Sequence, residues 1–520
     1  MTAAIGGMVA CSQRLASETG ARVLRNGGTA ADACVAMDAV LHVTEPPSTG
    51  LGGDMFALYY DSATSRVSAL NGSGRAPRGR ALERVERTEH GVIPPRHGDA
   101  VTVPGTCAGW FDLVARHGRM RVADLIAPAI DVAESGFAVA PVAAAMWDRN
   151  LPQLHSRELT VDGRAPRVGE TFRNPGLAGV LRAVADGGRD AFYRGQIAER
   201  IAAAARAVGG ALSADDLAAH TSTWVEPISA CYRGIRVWEC PPNGQGLAAL
   251  LGLAILDGLP VAVPGSLDRI HLQIEALRLA FADARWFVTD PDFAPTPVAE
   301  LLASDYVASR RKLIDVERAN PDVRRGAPDG IPGTVYLCAV DAAGNACSYV
   351  SSHFMGFGSG IVPEGLGFPL QNRGCGFSLD PRHPNAFAPT KRPYHTIIPG
   401  MLTHADGSLW GPFGVMGGAM QPQGHLQVAT ALIDDGASPQ QALDRARFFI
   451  EPELDGGRVN LEAGLAGIAD GLRERGHAIV LDPPTYGRSM FGRGQVILKH
   501  GDGSLVGGSD RRADGCAIAT

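Results

Sequence analysis

The chain has 520 residues, two to three times a usual domain, so it fits one large domain or two closely packed ones. Apolar residues make up 45% and charged residues 20%, which is ordinary for a soluble globular protein. The formal net charge is −6 and no Lys/Arg block stands out, which excludes binding to nucleic acid through a concentrated basic face.

The 65 glycines and 35 prolines are spread along the chain, as in a compact protein with many tight turns. Nine cysteines stand singly, with no CxxC pair and no zinc spacing, and read as free, mostly buried thiols in a reducing compartment. The first twenty residues lack a basic start and an apolar stretch, and no run of about 18 apolar residues follows anywhere. These features predict a cytoplasmic protein without a membrane span, and nothing in the pattern calls for a metal or an organic cofactor.

Taken in order, residues 8–45 read as helix-rich. Residues 16–26 have helical periodicity ended by Gly27-Gly28, and Thr29 is placed to cap a second helix over 30–43. The loop from Glu45 through Gly53 leads into a strand over 55–60, which pairs with 67–70 as a hairpin. Residues 122–218 are mostly helical. A short strand over 232–239 runs into Cys240-Pro-Pro-Asn-Gly-Gln-Gly, and helices follow over 247–256 and 268–287.

Residues 317–333, ERANPDVRRGAPDGIPG, change character: they are charged, carry three prolines and three glycines, and lack apolar periodicity. By composition this is an exposed, flexible linker. Directly after it come a strand over 334–340, a turn at Asp341-Ala-Ala-Gly-Asn and a returning strand over 346–350. Further on, 401–403 and 408–410 flank a turn, 424–434 and 440–448 are helical, and 495–499 with 504–507 form a last hairpin.

A Thr opening a strand after a cleavable linker suits an N-terminal nucleophile. Once Thr334 is freed, its own α-amino group (pKa about 7.7–8 when unperturbed) can act as base for the hydroxyl. Gly333 leaves the scissile carbonyl unobstructed. Strands begin with Thr often enough that the residue alone carries no more than this. Ser351 and Ser352 stand at the end of the paired strand, where they either support the nucleophile or merely end the strand. Gly417 and Gly418 precede a helical stretch, as backbone N–H donors to an oxyanion would, and as a plain tight turn also would. The loops at Gly50–Gly53 and Gly356–Gly360 lack the strand, GxGxxG and helix order of a nucleotide site.

Several segments together resemble the γ-glutamyltranspeptidase family. They include Gly27-Gly28-Thr-Ala-Ala-Asp32, Leu51-Gly52-Gly53-Asp-Met-Phe, Val103-Pro-Gly-Thr-Cys-Ala-Gly109, Thr334-Val-Tyr-Leu-Cys-Ala-Val-Asp341, Lys391-Arg392-Pro393, Gly417-Gly418 and Ser509-Asp510-Arg511, in family order over nearly the whole chain. The resemblance implies an α+β fold, a four-layer αββα sandwich of the N-terminal-nucleophile hydrolases. It implies one precursor cut between Gly333 and Thr334 into a large fragment, 1–333, whose tail is 317–333, and a small fragment, 334–520. The two fragments stay together as a heterodimer, with further dimerisation left open. Thr334 then aligns with the nucleophile, Ser352 with a Thr that hydrogen-bonds it, and Gly417 and Gly418 with the oxyanion-hole glycines.

Departures from the family pattern bear on the substrate. The Asp and Asn that hold a glutamyl ammonium are replaced by Gly376 and Phe354. An ammonium left unpaired there would cost on the order of 2–5 kcal/mol of recognition. His395-Thr396 replaces the serine pair that binds the α-carboxylate, Arg75 only approximates the carboxylate-binding Arg, and Arg373 stands where the family has an uncharged residue. The expected substrate is a small amide with a carboxylate and no α-ammonium, such as oxamate, recognised through Arg75, Phe354, Arg373, His395 and Thr396. Alternatives are a bulkier acyl-amide walled by Phe354, Met355 and Tyr394, a true γ-glutamyl substrate, or an uncut chain that only binds.

Overall fold

A computed structural model describes residues 2–4, 6–320, 332–451, 457–481 and 490–520. Two seven-stranded antiparallel sheets face each other. One runs Thr2–Ala4, Leu505–Ser509, Arg493–Lys499, Leu409–Met416, Gly400–Thr403, Ile235–Glu239, Ile228–Tyr232 from edge to edge. The other runs Cys516–Ala519, Met8–Cys11, Pro332–Val340, Ala346–Met355, Asp54–Asp61, Arg66–Gly72, Thr223–Val225.

Alternation along the central strands builds the layers. In the Pro332–Val340 strand, Tyr336, Cys338 and Val340 point between the sheets, where they meet Val350, Phe56, Leu58 and Met401. Val335, Leu337 and Ala339 point outward against a helical layer that contains Ala30–Thr44, Thr106–His117 and Val122–Ser135. Across the other sheet, Val237, Phe413, Val415 and Val496 face Gly246–Asp257, Leu267–Phe287 and Met420–Ile433. Helix, sheet, sheet, helix is the four-layer α+β sandwich expected.

Local signals account for most elements. Thr29 and Asp32 form a reciprocal cap, with Asp32 N–H donating to Thr29 Oγ1 (3.2 Å) and Thr29 N–H donating to Asp32 Oδ2 (2.9 Å). The helix they open is buried on every side, which suits its Ala, Cys and Val content.

Four expectations change. Met8–Cys11 is a strand, because a short run buried on both faces shows neither helical nor alternating period. Residues 232–239 are the second half of a hairpin whose strands, Ile228–Tyr232 and Ile235–Glu239, reverse at Arg233-Gly234, both at positive φ. The helix over 440–448 ends at Asp444, and Phe448 instead opens the strand Phe448–Ile450. The returning strand extends over Ala346–Met355, so Ser351 and Ser352 lie inside it.

The start of the linker is also held. Ala319 N–H donates to Arg475 O (2.7 Å) and Asn320 N–H to Glu275 Oε2 (2.8 Å). The rest of the expected linker, 321–331, lies outside the described residues. Each sheet combines strands from before residue 333 with strands from after residue 334, so a cut there would leave two pieces locked together by shared ladders.

Candidate functional site

The register of three neighbouring strands places the site. Ser352 stands opposite Asp54, one rung beyond the apolar Val350–Phe56 pair, and Thr334 lies on the same row beside a bulge between Gly333 and Val335. All three side chains therefore share the parity of Tyr336, Val350 and Phe56 and face the space between the sheets. Between the Val350–Phe56 pair and this rung the inter-sheet layer changes from apolar to polar.

Thr334 is fully buried, and its Oγ1 lies 3.1 Å from Ser352 Oγ. Ser352 Oγ accepts from the Phe354 amide (2.8 Å) and from Arg373 Nη2 (3.2 Å). The two hydroxyls are within hydrogen-bonding distance, and either can be the donor. Phe354, which the Ser352 hydroxyl pins, has a positive φ of 82°.

Arg373 comes from a short 3-10 turn, Arg373–Gly376. Its Nη1 donates to Thr396 Oγ1 (2.7 Å), and its guanidinium stacks over the Phe354 ring at 4.4 Å. Among the described residues no carboxylate lies within salt-bridge distance of it. Burial lowers its proton affinity to about 9 and the charge of Asp54 opposes this, so the group remains a cation at neutral pH.

Thus Thr334, Ser352, Phe354, Arg373 and Thr396 are brought together. His395 is turned elsewhere. Its Nε2 lies 3.1 Å from Asp54 Oδ2, its ring packs on Phe56 at 4.8 Å, and its Nδ1 accepts from the Ile397 amide (3.3 Å). That acceptance leaves the proton on Nε2, pointing at the carboxylate. Burial, reinforced by Arg373 and Arg392, holds the imidazole's pKa well below its ordinary value, so the ring is neutral.

Arg75 is not part of the cluster. Its half-buried side chain lies 3.7 Å from Asp292 and 3.5 Å from Thr221 O. Of the two candidate arginines, only Arg373 contacts Ser352, because the backbone of Gly74–Arg75 is turned by hydrogen bonds to Asp54 and Val103.

Gly417 (φ 135°) and Gly418 (φ 56°) connect the Leu409–Met416 strand to the Met420–Ile433 helix in conformations that suit glycine. Among the described residues, neither N–H meets an acceptor. Gln245 joins this loop to the cluster: its Nε2 donates to Thr396 O (2.6 Å) and Gly418 O (2.9 Å), and its Oε1 accepts from Tyr394 (3.0 Å).

Two residues had gone unassigned on sequence. Asp54 is fully buried, with Oδ1 accepting from the amides of Gly74 and Gly105 (3.0 Å each) and from Gln371 Nε2 (2.9 Å). Burial pushes its carboxyl up to about 7 against the pull of Arg373 and these donors. Its signal was the same-face period it shares with Phe56 and Leu58. Gln245 had no signal beyond sitting between two glycines.

Gly376 leaves no room for the Asp of related enzymes. A Cβ there would sit 2.6 Å from Tyr394 O, so any side chain would have to move the backbone. A cavity of about 230 Å³ lies elsewhere, between Arg269, Gln273, Gln427, Thr430, Arg445 and Arg447. None of the candidate residues lines it, and Thr334, Ser352 and Arg373 are each fully buried.

Comparison with known proteins identifies the family and the fold. A sequence model of the family described as gamma-glutamyltranspeptidase matches residues 16–520. The glutathione hydrolase-like YwrD proenzyme of Bacillus subtilis (strain 168) is 36% identical, with 98% of each chain covered. The oxamate amidohydrolase proenzyme of Klebsiella pneumoniae is 35% identical, again with 98% of each covered. The crystal structure of a cephalosporin acylase from Bacillus halodurans superposes with a TM-score of 0.91 at 43% identity, covering all of this chain and 96% of that one. The four-layer fold is accordingly that of the N-terminal-nucleophile hydrolases, and the protein is an amidohydrolase within the divergent branch these relatives mark. The chain belongs to the γ-glutamyltranspeptidase family.

Proposed function

We propose that the chain is a precursor that cuts itself between Gly333 and Thr334, and that the freed Thr334 hydrolyses a small amide bearing a carboxylate, with oxamate as the model substrate. The observation that carries the substrate class is Arg373: a fully buried cation beside the nucleophile whose contacts among the described residues are two hydroxyls and a ring, with no carboxylate within salt-bridge distance. A carboxylate on the substrate would satisfy it, and an ammonium would be repelled.

In the first reaction Thr334 Oγ1 attacks the Gly333 carbonyl carbon, the C–N bond breaks, and water hydrolyses the resulting ester. This leaves a carboxylate on the large fragment, 1–333, and an α-amine on the small one, 334–520. In the second, that amine takes the hydroxyl proton as Oγ1 attacks the substrate amide carbon. The N–H groups of Gly417 and Gly418 hold the oxyanion, ammonia or an amine leaves with the proton, and water resolves the acyl ester. Ser352 orients Oγ1, while Thr396 and Phe354 fix Arg373. Arg75 and His395 are not in this binding set.

Similarity to a cephalosporin acylase at 43% identity supports a second reading, in which the acyl group is bulkier and packs on Phe354. A γ-glutamyl substrate is opposed by Gly376 and Phe354, which leave its ammonium without a partner.

Thr334→Ala tests the scheme. The wild type should give two fragments on a denaturing gel, one with Thr334 at its N-terminus, while the variant should stay one inactive chain. Two normal fragments from the variant would refute the assignment, and an uncut wild type would point to a binding protein. A panel of oxamate, malonamate, glutaryl and γ-glutamyl amides, assayed for released ammonia or amine, separates the substrate readings.

A further inference from the structure

Asp54 is a buried carboxylate that the scheme above leaves unused, although it occupies the same rung as the nucleophile. It stands directly opposite Ser352, so their Cβ atoms are about 5 Å apart. On its other side Ser352 Oγ is 3.1 Å from Thr334 Oγ1, and Arg373 Nη2 is 3.2 Å from the same oxygen. Once Asp54 ionises, above about pH 7, an anion and a cation flank one hydroxyl, and the residue that would carry the free amine lies against it.

We propose that Asp54 and Arg373 are an opposed charge pair that sets the proton affinity of the Thr334 α-amine, with Asp54 acting as its positioning residue. This inference rests on the reading of Thr334 as nucleophile and base. A nearby cation disfavours the ammonium form of the amine and a nearby anion favours it, more strongly in a dry site than in water. With both charges present their effects oppose, and the amine keeps an affinity close to the ordinary value of about 7.7–8, suited to a base at neutral pH. Arg373 alone would make the amine too weak a base, and Asp54 alone would lock it as an ammonium.

The surroundings keep the balance to these two charges. His395 is neutral and donates Nε2–H to Asp54 Oδ2, which orients the carboxylate without adding charge. Gln371 and the amides of Gly74 and Gly105 hold its other oxygen. The Cys375 thiol beside Arg373 is pushed up to about 12 by burial, and the Tyr193 phenol is likewise raised by burial, so both are uncharged. Arg392 also acts on Asp54, but its own charge is opposed by Asp290 and Asp292, and its guanidinium donates to Ser73 O and Thr223 Oγ1.

The test titrates the amine itself and needs no substrate. Cut enzyme is labelled with cyanate across pH 5–10, and carbamylation of the small fragment's N-terminus is read by mass spectrometry. In D54N, or in D54S where water can fill the space, the midpoint should fall by about half to one pH unit, and in R373Q it should rise by a similar amount. R373K, which keeps the charge, should stay near wild type. Opposite movement is a result that general loosening of the site does not produce. Midpoints that coincide in all variants, or that move in one direction, overturn the proposal. Should both Asp54 variants remain uncut, the R373Q arm decides, and no rise there overturns it. Wild-type small fragment starting at Thr334 with midpoints unmoved sinks the charge pair alone, whereas normal cutting of Thr334→Ala sinks the nucleophile assignment.

Discussion

Arg447 and Arg373 are both fully buried, yet their surroundings differ in kind. Arg447 donates to Asp510 Oδ2 (2.7 Å) and to the carbonyls of Leu443, Phe491 and Gly492. Asp510 in turn accepts from Gly494 N–H and from Arg512, which also pairs with Glu462. Every charge there has an opposite inside the protein, and the network ties helix 439–444 to the last hairpin. Among the described residues Arg373 has Thr396, Ser352 and the Phe354 ring, with the opposing charge, Asp54, held by other donors. A buried cation that the fold has neutralised is structural, and one that the fold has left open is available to a ligand.

The largest expected effect separates the two regions by stability. Asp510→Asn leaves Arg447 without its counter-charge and should cost about 3–5 kcal/mol in denaturant unfolding. Arg373→Gln removes a charge that lacks a protein carboxylate and should leave stability unchanged or raised. Equal losses in both would end the contrast. Next, Arg373→Gln should raise KM for oxamate by about 10- to 150-fold, from the roughly 1.5–3 kcal/mol of a charged hydrogen bond, and leave KM for the neutral methyl ester of oxamate unchanged, whatever it does to kcat. A matching rise in KM for the ester would mean that Arg373 only shapes the site.

The smallest effect lies in the pH dependence of Tm. Asp54 has a raised carboxyl, at about 7, so between the unfolded value near 3.9 and that point the folded chain holds a proton the unfolded chain has lost. Its contribution to stability is complete at low pH and is lost as pH rises through 7. Asp510 runs the other way. Although its burial acts upward, Arg447 and Arg512 hold it below the ordinary value, so its contribution is present above about 3.9 and is lost as pH falls through its lowered pKa. Asp54→Asn should therefore flatten the fall in Tm between pH 5 and 7, and Asp510→Asn should not.

Legibility followed the range of the interactions. The Thr29 cap, the Ala30–Thr44 helix, the Asp54–Asp61 and Arg66–Gly72 hairpin and the strand that begins at Pro332 rest on neighbours a few residues apart, and their periods could be read. Met8–Cys11 was misread because its partners are Pro332–Val340 and Cys516–Ala519, some hundreds of residues away. Among site residues, Thr334, Ser352, Phe354, Arg373 and Thr396 were named beforehand and found together. Arg75 was named and found apart, because a position in a motif says nothing about which way a side chain leaves a turn. Asp54 and Gln245 were passed over, since a carboxylate after two glycines and an amide between two others resemble surface loop residues until burial is known.

By itself the amino-acid sequence determined the paired strands that lead from Thr334 and toward Ser352, and the family to which the chain belongs. Both are written in short-range order, in the two-residue period of a pleated strand and in motifs read one after another. Only the tertiary structure decided that Arg373 reaches Ser352 from a separate turn, that His395 turns to Asp54, and that Gln245 joins the Gly418 loop to Thr396. Those contacts form where two sheets close over one another, and no period along the chain encodes which distant donor meets which acceptor.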